Sequence, residues 1–75
     1  MGMTPTNYFD PDRLPLPEIA TPGDIERVLN IPRSSLAQDR YLGRGLPYVK
    51  IGARVRYLRS DVLAYLAANR AVMRN

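Results

Sequence analysis

Pro47-Tyr48-Val49-Lys50-Ile51-Gly52-Ala53-Arg54-Val55-Arg56-Tyr57-Leu58-Arg59 is the stretch whose reading decides the fold. Val49 and Ile51 alternate with Tyr48 and Lys50, and beyond Gly52-Ala53, Val55 and Tyr57 alternate with Arg54 and Arg56. That period of two belongs to half-buried strands, so the stretch predicts a β-hairpin. A two-residue loop would pair Ile51 with Arg54 and Val49 with Arg56, setting charges on the apolar face of the ribbon. A three-residue loop, Gly52-Ala53-Arg54, instead pairs Ile51 with Val55 and Val49 with Tyr57. The three-residue loop is the expectation, with one dry face, Lys50 opposite Arg56 on the other, and Arg54 at the tip. Opposed cations repel unless an anion sits between them, which points to polyanionic phosphate.

At 75 residues the chain makes one small domain whose core supplies only a few kcal/mol. It has no cysteine and no histidine, which excludes disulfides and thiolate zinc sites and removes the commonest metal ligand and general base. Ser34 and Ser35 therefore have no histidine to activate them, and the seven carboxylates show no metal-binding pairing, so neither enzyme nor cofactor is expected. With no long apolar run and no signal-like N-terminus, a soluble cytoplasmic protein is expected, with no membrane partner.

The net charge of +4 is unevenly spread: residues 1–20 carry Arg13 against Asp10, Asp12 and Glu18, leaving +6 on residues 21–75. Between Arg33 and Arg59 lie seven cations and one acid, Asp39, the electrostatic footprint of a nucleic-acid binder.

Residues 1–20 hold Pro5, Pro11, Pro15 and Pro17 with apolar residues at no regular period, which predicts an extended or disordered arm. A short piece around Leu14 to Ile19 is apolar enough to lie on the domain or on a neighbouring molecule. Thr21-Pro22-Gly23-Asp24 reads as a helix start, with a threonine cap, proline at the first position and an acid at the third. Ile25, Val28 and Leu29 give this helix one apolar stripe, and Asn30 ends it. Ile31-Pro32 turns the chain into a second helix from about Arg33 to Leu42, stopped by Gly43, at helix-turn-helix spacing. On it Leu36 is core, with Tyr41 or Leu42 closing its far end, while Ser34, Ser35, Gln38 and Arg40 lie off that stripe. After the hairpin Ser60 is expected to cap a third helix, with Val62, Tyr65, Leu66 and Asn69 facing inward across the first two helices. Residues 71–75 are expected to fray.

In this order and spacing, Thr21-Pro22, Ile31-Pro32-Arg33-Ser34-Ser35-Leu36, Leu46-Pro47-Tyr48-Val49-Lys50-Ile51-Gly52, Val55-Arg56-Tyr57, Arg59-Ser60-Asp61-Val62 and Tyr65-Leu66 resemble the MerR-like excisionase group. That group comprises small winged helix-turn-helix DNA-binding proteins, phage excisionases (recombination directionality factors) and AlpA-type regulators among them. The resemblance covers about residues 21–69 and implies a mainly α fold with a small β-hairpin: an arm over 1–20, a winged domain over 21–70 and a frayed end over 71–75. It implies DNA binding by the second helix in a major groove, with the hairpin reaching the adjacent minor groove or backbone. It also implies side-by-side binding to repeated attachment sites with DNA bending, which lets an integrase assemble the excision complex. Ala37 and Asp39 depart from the pattern, standing where relatives show aromatic or basic residues.

Carried over residue by residue, the base-edge candidates are Ser34, Ser35 and Gln38. The backbone and wing candidates are Arg33, Arg40, Arg44, Lys50, Arg54 and Arg56. Arg56 has an alternative as a bridge to Asp61 or Asp39, and Tyr48 as either a stacking residue or core; Tyr57 and Tyr65 are read as core. The partners expected are double-stranded DNA and an integrase, with self-association on DNA and a monomer in free solution, since no heptads follow the last helix. Two other functions stand beside excision: a transcriptional regulator of the same fold, and a protein-binding adaptor that uses the Pro-rich arm.

Overall fold

A computed structural model describes residues 13–70, so the expectations for residues 1–12 and 71–75 lie outside the described residues. Strand β1 (Ile19–Ala20) is followed by helices α1 (Pro22–Leu29) and α2 (Arg33–Leu42), strands β2 (Val49–Ile51) and β3 (Arg54–Leu58), and helix α3 (Arg59–Ala68). Among the described residues these form a small mixed α/β domain with three helices and one antiparallel sheet of order β1-β3-β2.

The first helix forms where its end signals lie. The Thr21 hydroxyl accepts from the Asp24 backbone N–H at 3.0 Å and the Asp24 carboxylate accepts from the Thr21 N–H at 3.0 Å, a reciprocal capping box. Asn30 closes the helix in the left-handed conformation, φ 59°. Ile31 and Pro32 then turn the chain into α2, which starts on Pro32 without a side-chain cap and stops at a left-handed Gly43.

The core takes one buried side chain from nearly every element: Ile25 from α1, Leu36 from α2, Leu46 from the connector, Tyr57 from β3 and Val62 from α3. Leu16 and Ala20 complete it, so the domain does not begin at Thr21. The segment expected as an arm is extended over its described residues, but Ala20 pairs with Tyr57 and Ile19 with Leu58, adding a third strand. Arg59 anchors the same segment, its backbone N–H donating to Glu18 O at 2.9 Å and its guanidinium to Leu14 O at 3.0 Å.

Three other expectations are corrected. Ser60 does not cap the last helix: β3 runs straight into α3 at Arg59, with Leu58 at the cap position, and α3 packs chiefly on β3. Val62 is buried and Tyr65 and Leu66 half-buried as expected, but Asn69 is exposed and its side-chain amide donates back to Tyr65 O at 2.8 Å. Tyr41 and Leu42 do not close the core; they are 86% and 47% exposed.

The hairpin register is corrected as well. Val49 pairs with Arg56, Lys50 with Val55 and Ile51 with Arg54, so the loop is only Gly52-Ala53 and Arg54 opens β3 instead of forming the tip. Gly52 has φ +63° while Ala53 stays at negative φ, the pattern of a type II′ turn, whose twist matches that of paired strands. Turn geometry outranked apolar segregation, because a glycine placed first in a two-residue loop specifies the pairing on either side of it.

Candidate nucleic-acid interface

Helix α2 turns about 100° per residue, and Leu36 fixes which side faces the core. Opposite Leu36 lie Ser34, Gln38 and Tyr41, which fall within roughly 60° of one another on the helical wheel. Ser34, Ser35 and Gln38 are exposed, and among the described residues none of them makes a side-chain hydrogen bond. Tyr41 stands on one side of that outward face, about one helical turn beyond Gln38, and is the most exposed large apolar residue described. Sequence reasoning missed it, although Tyr41 lies five positions from Leu36, about 140° away around the helix, and that spacing was available to find it.

The position near Leu36 belongs to Arg40, one turn on. Its guanidinium donates to the Tyr57 hydroxyl at 2.6 Å and lies 5.9 Å from the Tyr48 ring centroid, while the Tyr48 and Tyr57 rings sit 6.5 Å apart. Tyr57 is 1% exposed, so Arg40 supplies the partner that its buried hydroxyl requires and ties the last turn of α2 to the hairpin. Arg40, expected as a backbone contact, makes this intramolecular contact while its side chain stays half-exposed.

The other cations divide by partner. Arg33 pairs with Glu26 at 2.8 Å and Arg44 with Asp39 at 3.1 Å, both on the surface, where such pairs are worth about 0–1 kcal/mol and exchange readily for another anion. The Asp39–Arg44 pair also neutralises the one acid on α2. Gly45 makes room for it: at φ +86°, a Cβ there would fall 2.8 Å from Asp39 Oδ2. Arg56 bonds neither Asp61 nor Asp39, donating instead to Val55 O at 2.7 Å. Lys50 and Arg54 are exposed and have no ion pair or hydrogen bond among the described residues.

The observed register redistributes these charges. Residues paired across antiparallel strands share a face, so Arg54 and Arg56 lie with Ile51 and Val49 on the outer side, away from the Tyr57 ring that meets α2. Lys50 shares the opposite side with Val55. The single cationic face with Lys50 opposed to Arg56 does not exist, and the ribbon carries no self-repelling cation pair at that position. What the structure brings together is an outward polar and aromatic helix face, tethered through Arg40 to a hairpin edged by Arg54.

No family model matches the chain, and no curated protein or solved structure proved similar to it. Among the described residues no cluster of acidic, histidine or cysteine side chains is grouped to hold a metal ion, and no helix is long and apolar enough to cross a membrane.

Proposed function

We propose that this domain is a winged helix-turn-helix that binds double-stranded DNA as a non-catalytic architectural factor of the excisionase type. Helix α2 enters the major groove with Ser34, Ser35, Gln38 and Tyr41 toward the base edges, and the β2–β3 hairpin lies along the neighbouring minor groove or backbone. The observation that carries this reading is the outward face of α2. Its polar side chains are exposed and have no partner among the described residues, on a helix whose two ends hold exchangeable arginine pairs. The +6 charge of residues 21–75 supplies the sequence-independent share of the affinity. Acting beside an integrase, such a factor would bend attachment-site DNA and favour excision over integration. A transcriptional regulator of the same architecture would make the same contacts, and whether the selected sites fall in an attachment region or a promoter separates the two.

The test is an electrophoretic shift at low salt with a pool of random duplexes, followed by selection of the retained sequences. Retarded, bent complexes with more than one protein per site are expected. Absence of any shift at low salt would refute the reading. The adaptor alternative is tested by deleting residues 1–12 only, because a cut at residue 20 also removes Leu16 and Ala20 from the core.

A further inference from the structure

The hairpin register leaves an unusual residue at the wing tip. Ile51 is the last residue of β2, paired with Arg54, and its side chain is 54% exposed, whereas Val49 on the same face is half-buried. The type II′ turn accounts for the pairing but not for an isoleucine at this position; threonine would satisfy the same strand preference without the apolar surface. The turn that follows carries only Gly52 and Ala53, which leave more than half of the Ile51 surface open. Beside it, Arg54 is exposed and without a partner among the described residues.

An apolar side chain at the narrow end of a two-stranded ribbon, flanked by arginine, fits one ligand chemistry well. Proteins that enter the minor groove press an apolar side chain between neighbouring base pairs, unstacking them and kinking the duplex by roughly 20–90°, while flanking cations hold the phosphates on either side. Pyrimidine–purine steps open most easily. From this geometry we infer that Ile51 is such a wedge, and that the hairpin bends duplex DNA through it while Arg54 holds the backbone beside the opened step. The inference rests on the DNA-binding reading above and deepens it, assigning the bend to one residue. The domain's other unburied tip residues, Gly52 and Ala53, have no side chain large enough to wedge apart stacked base pairs.

The experiment compares the wild-type chain with Ile51→Thr and Ile51→Ala on one selected duplex. The duplex carries 2-aminopurine at a TA or CA step and a fluorophore pair at its ends. Wild-type binding should raise 2-aminopurine emission several-fold and shorten the end-to-end distance. Ile51→Thr, which keeps strand preference and changes a residue more than half exposed, should melt close to the wild type and bind with the same salt dependence, yet lose most of the emission rise and of the bend. Ile51→Ala should match it. Wild-type complexes with no emission change, or variants that unstack and bend as the wild type does, overturn the wedge and leave DNA binding intact. Failure of the wild type to bind any duplex at low salt overturns both.

Discussion

Replacing Arg40 by methionine keeps the helix-forming stem and removes the guanidinium that joins α2 to the hairpin. The loss follows from the geometry. The Tyr57 hydroxyl, on a side chain 1% exposed, loses its 2.6 Å donor, and a buried polar group left unsatisfied costs about 1–3 kcal/mol. The cation near the Tyr48 ring adds about 0.5 kcal/mol at a half-exposed site. A destabilisation of about 2 kcal/mol is expected, which in a domain of this size lowers Tm by roughly 8–16 °C. Tyr57→Phe should cost less, about 1 kcal/mol, because the half-exposed guanidinium regains water. The double variant should be little worse than Arg40→Met alone, since removing both partners leaves nothing unsatisfied; a coupling energy of about 1 kcal/mol is expected. Urea unfolding followed by circular dichroism reads all four proteins, with the slope m unchanged across the set. Arg40→Met within about 0.5 kcal/mol of the wild type, with no coupling to Tyr57, would refute the tether, the more so if the salt dependence of DNA binding fell by one phosphate's worth.

Four further outcomes are expected. Arg54→Ala should flatten the log–log salt dependence of DNA binding by about 0.9, as should Lys50→Ala, one phosphate contact each, and an unchanged slope in a salt titration would remove that residue from the interface. Gln38→Ala or Tyr41→Ala should each cost roughly 1–3 kcal/mol at one position of the selected site and leave the salt slope alone, as read by binding to singly mismatched duplexes. Leu16→Ala should destabilise by about 2–4 kcal/mol in denaturant unfolding, whereas a segment that served only as an arm would lose nothing. Acid should weaken the domain through Asp24, whose carboxyl is held below its ordinary range by the Thr21 backbone N–H and next by Arg27. Because the folded value is the lower one, that contribution is complete above the ordinary carboxylate value and lost as pH falls through the folded one; Asp24→Asn should flatten the fall of stability with pH in this window, measured by urea unfolding across a pH series.

The features of the fold legible in the sequence are those with strong local chemistry. Thr21-Pro22-Gly23-Asp24 and Asn30 bound α1 in the structure as their residue types require, and Gly43 stops α2. The hairpin's existence was legible from its alternation, but its register was not, because two rules conflicted: segregation of apolar residues favoured three loop residues, and a leading glycine favoured two. β1 left no readable signal, since a strand of two residues is too short to show a period and sits among prolines that suggest no structure. On α2 the exposed serines and Gln38 are legible by their distance from Leu36, while the tether through Arg40 is not, because its partner, the Tyr57 hydroxyl, lies 17 positions away. Tyr41 was drawn inward by its apolar character, although helix geometry alone turns it outward.

Amide chemical-shift mapping tests the central claim most directly, using the isotopically labelled chain titrated with short duplex DNA at low salt. The largest changes are expected at Ser34, Ser35, Gln38, Tyr41 and along Lys50 to Arg54, with little at Leu63 to Ala68 on α3. Changes concentrated on α3 and the β1 edge, or none at any residue, would contradict it.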